Sequence, residues 1–506
     1  MVSEARSFIA WILALSIVAL AANEAGKLVA GQTSHPPSHQ PSHLPLTSNC
    51  DPFIGADGGG NTVPGAAVPF GFANPSPDTL RHDTSGYDSR QPIIGFSQTH
   101  VSGTGGASKY GNFRITPEVG ELRIRNLASV KKDEIAMPGY YAVTLTGSDA
   151  RADARSDVGV ELTATRLVAV HRYTFPKSTE SHLLLDVSSL VISGGDQRQR
   201  PVDCNARIVG TNQVEGTGKF KGGWNPSPYT LHFFAEFSRP FAAYGAWSGE
   251  ASQLGAKSAQ GGERTGLYLT FDTTLGATVE VKIGLSFIST EQARANVERE
   301  VGEKTFAEVR RSAAALWEEA LSRILVEGGT GEQRRIFYTA LYRSHYMPHD
   351  LTGENVWWKS DEPHYEDYYC LWDTFRTLHP LLTLIQPDRQ RDMVRSLVDT
   401  YRHTGWIPDA RVAGANGLTQ GGSNGDVLVA DAWSRDCAAS TTSSLMQRCV
   451  RTPKRTALVR FLKGVRFPST SDLATSVFRK SVRPRAPWSM RMTIFVLLRW
   501  RGGWAR

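Results

Sequence analysis

The chain has 506 residues, 40 % of them hydrophobic, with 47 glycines. That apolar content suffices for more than one core and excludes a wholly disordered chain. The formal charge of +7 is unevenly spread: from Arg435 to Arg506 sixteen Lys/Arg stand against two Asp/Glu, a net of +14, which leaves −7 for the first 434 residues. An acidic body with a basic tail confines any nucleic-acid reading to the tail.

An apolar run from Phe8 to Ala22 follows Arg6 and ends in small residues. At fifteen residues it is short for a membrane span. Residues 1–25 therefore read as a signal peptide of a secreted chain, with an uncleaved anchor as the alternative. Residues 26–49 form a Pro/Ser/His linker in which His35, His39 and His43 recur every four residues. The prolines favour an extended, solvated spacer over a metal site. Five cysteines, Cys50, Cys204, Cys370, Cys437 and Cys449, are scattered without a CxxC pair. That excludes a disulfide-dense scaffold and argues against cysteine-bound zinc.

Residues 50–290 read as strands. "GYYAVTLTG", "VGVELTATRLVAVHRYTF", "YTLHFFAEF" and "ATVEVKIGLSFI" alternate between Gly, Asp and Asn turns, with no helix between them. The pattern predicts a large antiparallel sandwich. At "STEQARANVERE" the period becomes helical. The next segment places Phe306, Val309, Ala313, Leu316, Ala320 and Ile324 on one stripe. Residues 291–434 are thus a helical domain, and the class is α+β.

Four segments have the composition of a binding site. "DPFIGADGGGNTVPG" holds Gly58, Gly59 and Gly60, which let backbone N–H groups approach a ligand. Pro64 and Pro69 exclude the helix that a phosphate cradle needs, which leaves a demanding surface loop or a small-molecule pocket. "IIGFSQTHVSGTGG" offers Ser97, Thr99, His100 and Thr104, a mixture that suits a sugar, although a lone histidine is more often structural. "LWDTFRTLHPLL" puts Asp373 and Arg376 three residues apart on a predicted helix, beside Trp372 and Phe375. They make either a buried ion pair or a carboxylate that receives a polyol, steadied by the arginine; His379-Pro380 ends or kinks the helix. "GGSNGDVLVADAW" and the residues before it supply Asn416, Gln420, Asn424, Asp426 and Asp431, oxygen ligands of the kind calcium takes, without EF-hand spacing.

Taken together, these segments with "ELTATRLVAVHRYTFP" and "FYTALYRSHYMP" closely resemble glycoside hydrolase family 92, the calcium-dependent exo-α-mannosidases, over about Cys50 to Trp433. The wording "PDARVAGANGLTQGGSN" is similar to fungal members. The resemblance implies an N-terminal antiparallel β-sandwich followed by an (α/α)6 barrel, here incomplete. It implies inverting hydrolysis of terminal α-mannose, often α-1,2-linked, on glycoprotein N-glycans, with calcium helping to hold the −1 sugar. Asp373 and the Gly58–Gly60 loop match −1 subsite positions; Trp372 and Arg376 belong to the same motif, and His100 is grouped with them as substrate-binding.

The chain also departs from the family pattern. The "TEGN" motif of the general acid and the "GNDD"-type motif of the base are both absent. An inverting enzyme needs both groups, so no catalytic residue is assigned and turnover is expected to be impaired. The alternative is a non-catalytic carbohydrate-binding remnant. Residues 435–506 form a basic tail without clear periodicity. Shifting the reading frame at Arg485 permits "RTVEYAYDDFCVATVARG", which resembles the family again, so the tail reads as out of frame and poorly ordered. Transcript sequencing across the Trp433 codon is expected to restore a family-like frame; an in-frame transcript encoding the tail as written would refute this.

Overall fold

The computed structural model describes residues 44–57, 59–147, 157–192, 198–225, 227–417 and 424–435. The signal-peptide reading, His35, His39, His43, Gly58, Gln420, Cys437, Cys449 and the tail beyond Arg435 lie outside the described residues. By its contacts the chain divides after Leu44, and the fold is that of the unit starting at Pro45.

Sixteen strands form one antiparallel sheet. They are β1 (Ser76–Thr79), β2 (Ile93–Ser97), β3 (Arg114–Val119), β4 (Ser129–Met137), β5 (Tyr140–Gly147), β6 (Val158–Ala164), β7 (Val168–Thr174), β8 (Ser181–Asp186), β9 (Arg200–Ile208), β10 (Gln213–Lys221), β11 (Tyr229–Phe237), β12 (Ala243–Ser248), β13 (Ala251–Leu254), β14 (Ser258–Gly261), β15 (Thr265–Phe271) and β16 (Thr278–Ser286). The spatial order is β13-β12-β15-β8-β3-β2-β4-β5-β6-β7-β16-β11-β10-β9-β14, with β1 beside β2. The sheet curls back on itself: Ser248 Oγ of β12 donates to Gln260 O of β14 at 3.3 Å. Its two layers enclose one core that includes Phe113, Tyr173, Phe220, Phe233 and Phe271. The period-2 pattern holds in the structure; in β11, Tyr229, Leu231, Phe233, Ala235 and Phe237 all point inward.

Helix α1 (Thr290–Glu300) lies on the sheet, capped by Ser289, whose side chain accepts from Gln292 N–H. Gly284 in β16 permits the close approach, since a Cβ there would stand 2.1 Å from Ala293 O. Buried Asn296 donates to Leu285 O and to Glu354 Oε1, both at 2.8 Å. Glu354 Oε2 accepts from Ser286 Oγ at 2.6 Å and Phe287 N at 3.0 Å. This network fastens the sheet to the helical domain.

Helices α2 (Phe306–Leu321) and α3 (Gly331–Arg343) both start with capping boxes, Thr305/Glu308 and Thr330/Gln333. The buried face of α2 is Phe306, Val309, Ala313, Trp317, Ala320 and Leu321. Leu316, read from the sequence as part of that stripe, is 47 % exposed. Its angular position falls beside the stripe, and Trp317 takes the inward place, where its indole N–H donates to Ala67 O at 2.7 Å. The end of the segment read as linker is not a free spacer. Leu46–Asn49 form a 3-10 turn, and the N–H groups of Leu46 and Thr47 donate to the Glu318 carboxylate at 2.9 and 3.1 Å.

The single helix predicted through Asp373 and Arg376 is in fact two: α4 (Leu371–Thr374) and α5 (Leu378–Ile385). Pro380 falls in the first turn of α5, where its missing N–H goes unused; it opens a helix rather than ending one. Helices α6 (Pro387–Thr404) and α7 (Asn424–Ser434) pack with α4 and α5 around Leu371, Phe375, Leu382, Leu397 and Leu428. A sheet domain followed by helices is the α+β class expected.

Truncating Trp317 to Ala should cost about 3–5 kcal/mol, whereas Leu316→Ala should stay within about 0.5 kcal/mol. Urea midpoints of the two variants check this, and equal losses would contradict the assignment of the stripe.

Candidate functional site

Two loops of the sandwich and one strand-like segment of the helical domain meet where the domains join. In the first loop, Gly59 N–H donates to Asp83 Oδ2 at 3.0 Å and Gly60 N–H to Asp57 O at 3.2 Å. Gly60 must be glycine, because a Cβ would stand 2.1 Å from Gly55 O. Asn61 O then accepts from Gly103 N–H at 2.6 Å, which ties this loop to the "SGTGG" loop. Arg343, the last residue of α3, secures the pair from the helical side by donating to Pro52 O at 2.5 Å and Val63 O at 2.9 Å.

The segment Tyr365–Cys370 is anchored by two buried carboxylates. Asp367 accepts from Tyr110 Oη and His349 Nδ1, each at 2.7 Å. Glu366 accepts from Arg411 Nε at 2.6 Å and from Gly414 N–H at 2.9 Å, which fixes the short hairpin Arg411–Asn416. Arg411 beside Glu366 holds its carboxyl below the usual range against the opposing effect of burial, which is the larger single influence. Next to Tyr110, the Lys109 ammonium donates to Asn225 O at 2.8 Å and Gly222 O at 3.1 Å. Burial pushes this amine down to about 8. Lys109 thereby sets the loop that carries Trp224, whose ring centroid lies 4.8 Å from Tyr369 and 6.0 Å from Trp372.

Between these elements lies a cavity of about 200 Å³, to which Thr62, Ser102, Gly103, Asp367, Tyr369 and Thr374 contribute. It draws on three of the four sequence-predicted segments. The individual residues are placed differently. Trp372 is half-buried against Trp224. Asp373 and Arg376 are both exposed and form no ion pair with each other among the described residues; the arginine instead lies 5.2 Å from the Phe375 ring. His100 is buried, with Nδ1 at 2.9 Å from Asn74 O and Nε2 at 2.9 Å from Asp78 Oδ1. Sequence reasoning missed Asp367, Tyr369 and Trp224. The signal for Trp224 was present, an aromatic set among glycines and a proline in "GGWNP".

Further carboxylates sit at the start of α7. Asn424 N–H and Nδ2 donate to the two oxygens of buried Asp409 at 2.9 and 3.1 Å. Burial, and then Asp409, push the Asp426 carboxyl up to about 6. Both Asp409 carboxylate oxygens are thus engaged by Asn424. Among the described residues no group of three or more His, Cys, Asp or Glu comes together as a metal cage. No chemical step is assigned through the calcium ion that the resemblance implies.

Comparison with known proteins agrees with this architecture. Residues 50–286 match the glycosyl hydrolase family 92 N-terminal domain and residues 292–466 its catalytic domain; the second match runs past residue 434, where the sequence reading ended the resemblance. An uncharacterized secreted glycosidase of the fungus Arthroderma benhamiae is 30 % identical over 418 residues, covering 76 % of this chain and 49 % of that protein. A family GH92 α-mannosidase from Bacteroides thetaiotaomicron is 27 % identical with a TM-score of 0.69, covering 77 % of this chain and 54 % of that one. A second structure from that organism, an inverting mannosidase of the family, is 27 % identical with a TM-score of 0.68 over 79 % of this chain and 54 % of that chain. The chain spans about half the length of these relatives. Two consecutive matches, both domains in order, and a fold shared with solved members establish that the chain belongs to glycosyl hydrolase family 92.

Proposed function

We propose that the chain is a mannosidase-type glycoside hydrolase by descent that engages terminal α-mannose of secreted glycoproteins at the junction of its two domains. The observation that carries this reading is the cavity of about 200 Å³ lined from both domains by hydroxyls, a carboxylate and an aromatic ring. Pockets for drug-sized ligands run about 300–1,000 Å³, so this one suits a single sugar ring. One of the Bacteroides α-mannosidases has been solved in complex with mannoimidazole, which supports a mannose-shaped ligand. The similar fungal glycosidase is a secreted protein, which supports the same compartment here. Among the described residues no helix is long and apolar enough to cross a membrane.

Turnover is a separate matter. Inversion needs an acid and a base set about 6.5–9.5 Å apart, with water between the base and the sugar. The chain contains neither "TEGN" nor "GNDD". Within the cavity, Thr62, Ser102 and Thr374 would offer hydroxyls and Tyr369 an apolar wall; Asp373, Trp372 and the Gly59–Gly60 loop do not line it, and their sugar-binding roles rest on the family resemblance. A calcium requirement rests on the family resemblance. The second reading, a sugar-binding remnant without turnover, follows if the acid and base are not supplied from elsewhere.

An α-1,2-mannobiose assay with calcium, before and after EDTA, should give little or no mannose; robust calcium-dependent release would overturn the claim of impaired turnover. In calorimetry, Asp373→Asn should weaken mannose binding about tenfold, the loss of one hydrogen bond to a charged group, with an unchanged thermal midpoint because the side chain is exposed. Unchanged affinity would remove Asp373 from the site.

A further inference from the structure

Lys109 is 1 % exposed, and the sugar site as described makes no use of its charge. Taking an ammonium out of water is costly unless its donors are well received. No carboxylate pairs with it among the described residues; Asp367 acts on it only through space. Its hydrogen-bond partners are two backbone carbonyls of one turn, Asn225 O at 2.8 Å and Gly222 O at 3.1 Å. The Nζ also lies 4.9 Å from the Tyr229 ring centroid, within cation–π reach. A methionine would fill the same space without a charge, so what the ammonium adds is the gathering of that turn.

The turn closes tightly over the lysine. Gly223 stands at φ +81°, and a Cβ there would lie 2.3 Å from Ser108 O and 3.3 Å from Lys109 Cδ. Trp224 N–H donates to the same Ser108 O at 3.3 Å. The indole is thereby laid across the domain junction. A Cβ on Gly106 would stand 3.2 Å from its Cδ1, and one on Gly417 2.5 Å from its Cη2. Asn225 Nδ2 crosses the same gap to Ala415 O at 3.0 Å. On its remaining side Trp224 meets Tyr369, ring centroids 4.8 Å apart. Tyr369 lines the cavity, and its hydroxyl donates to Ala107 O at 3.1 Å. Three consecutive residues, Ala107, Ser108 and Lys109, thus hold the Tyr369 hydroxyl, the Trp224 backbone and the turn that carries Trp224.

We propose that Lys109 is a positioning residue for the sugar, acting through Trp224 to set the Tyr369 wall of the junction cavity. Lys109 does not itself line that cavity. Tyr369 meets the sugar, Trp224 backs Tyr369, and the ammonium holds Trp224 in place. The assignment rests on the mannoside reading of the cavity, and it adds that affinity is governed by a charge two aromatic rings away from the ligand.

A double-mutant cycle on the full chain tests it, with mannose affinity read by calorimetry. Lys109→Met and Trp224→Ala should each weaken mannose about tenfold, and the double variant should be no weaker than either alone, because residues acting in series are not additive. The spectroscopic counterpart needs no ligand. The near-UV circular dichroism contributed by Trp224, read as the change on Trp224→Phe, should largely disappear in a Lys109→Met background. If Lys109→Met fails to fold, Gly223→Ala, which lifts the turn while keeping the lysine, should reproduce both effects. Losses that add in the double variant, wild-type affinity in Lys109→Met, or an intact Trp224 signal in that background would each overturn the proposal. Absence of mannose binding by the wild type would count against the cavity reading; the Trp224 signal then decides for Lys109 by itself, its loss in Lys109→Met supporting the positioning role and its persistence refuting it.

Discussion

The Asp367 carboxylate is the interaction on which the junction depends. It is fully buried, and removing a charge from water costs several kcal/mol unless well-placed donors replace the lost hydration. Tyr110 from a sandwich loop and His349 from the helical domain are those donors. Neither domain alone satisfies the acid, so its burial is offset only when the two are docked. The backbone is strained there too: Asp367 sits at φ +64°, a region that residues with a side chain seldom occupy. Such strain persists where the surroundings over-determine it, and here it turns Tyr368 inward and sets Tyr369 against Trp224.

The same junction explains which parts of the molecule the sequence made legible. Strands of the sandwich announce themselves because one face is buried and the other wet, so β11 and the β6–β7 hairpin are readable from alternation alone. The α2 stripe is readable to within one position; Leu316 and Trp317 are both apolar neighbours, and only the partner surface at Ala67 decides between them. The break between α4 and α5 escapes the sequence because a proline in a first turn and a proline that ends a helix look alike without the tertiary context.

The site was legible as motifs and not as contacts. The glycine loop, the "SGTGG" loop and the "LWDTFR" segment do approach one another, through Asn61, Gly103 and Thr374. The roles inside them are harder to assign. His100 attracts attention as a titratable residue in a glycine-rich loop, yet both its ring nitrogens face protein oxygens. Asp367 sits among aromatic neighbours in "YEDYYC", and nothing local distinguishes it from the exposed Asp373. Long-range partners make that distinction, and Tyr110 comes from more than two hundred positions away.

The central claim is that a mannose ring occupies the space where these two domains close on Asp367. A crystal structure of the full chain with mannose tests it most directly. Sugar density is expected in the cavity between Gly103, Asp367 and Tyr369, with a hydroxyl within hydrogen-bond reach of a carboxylate. Sugar bound elsewhere on the surface, with that cavity filled by protein side chains, would contradict it.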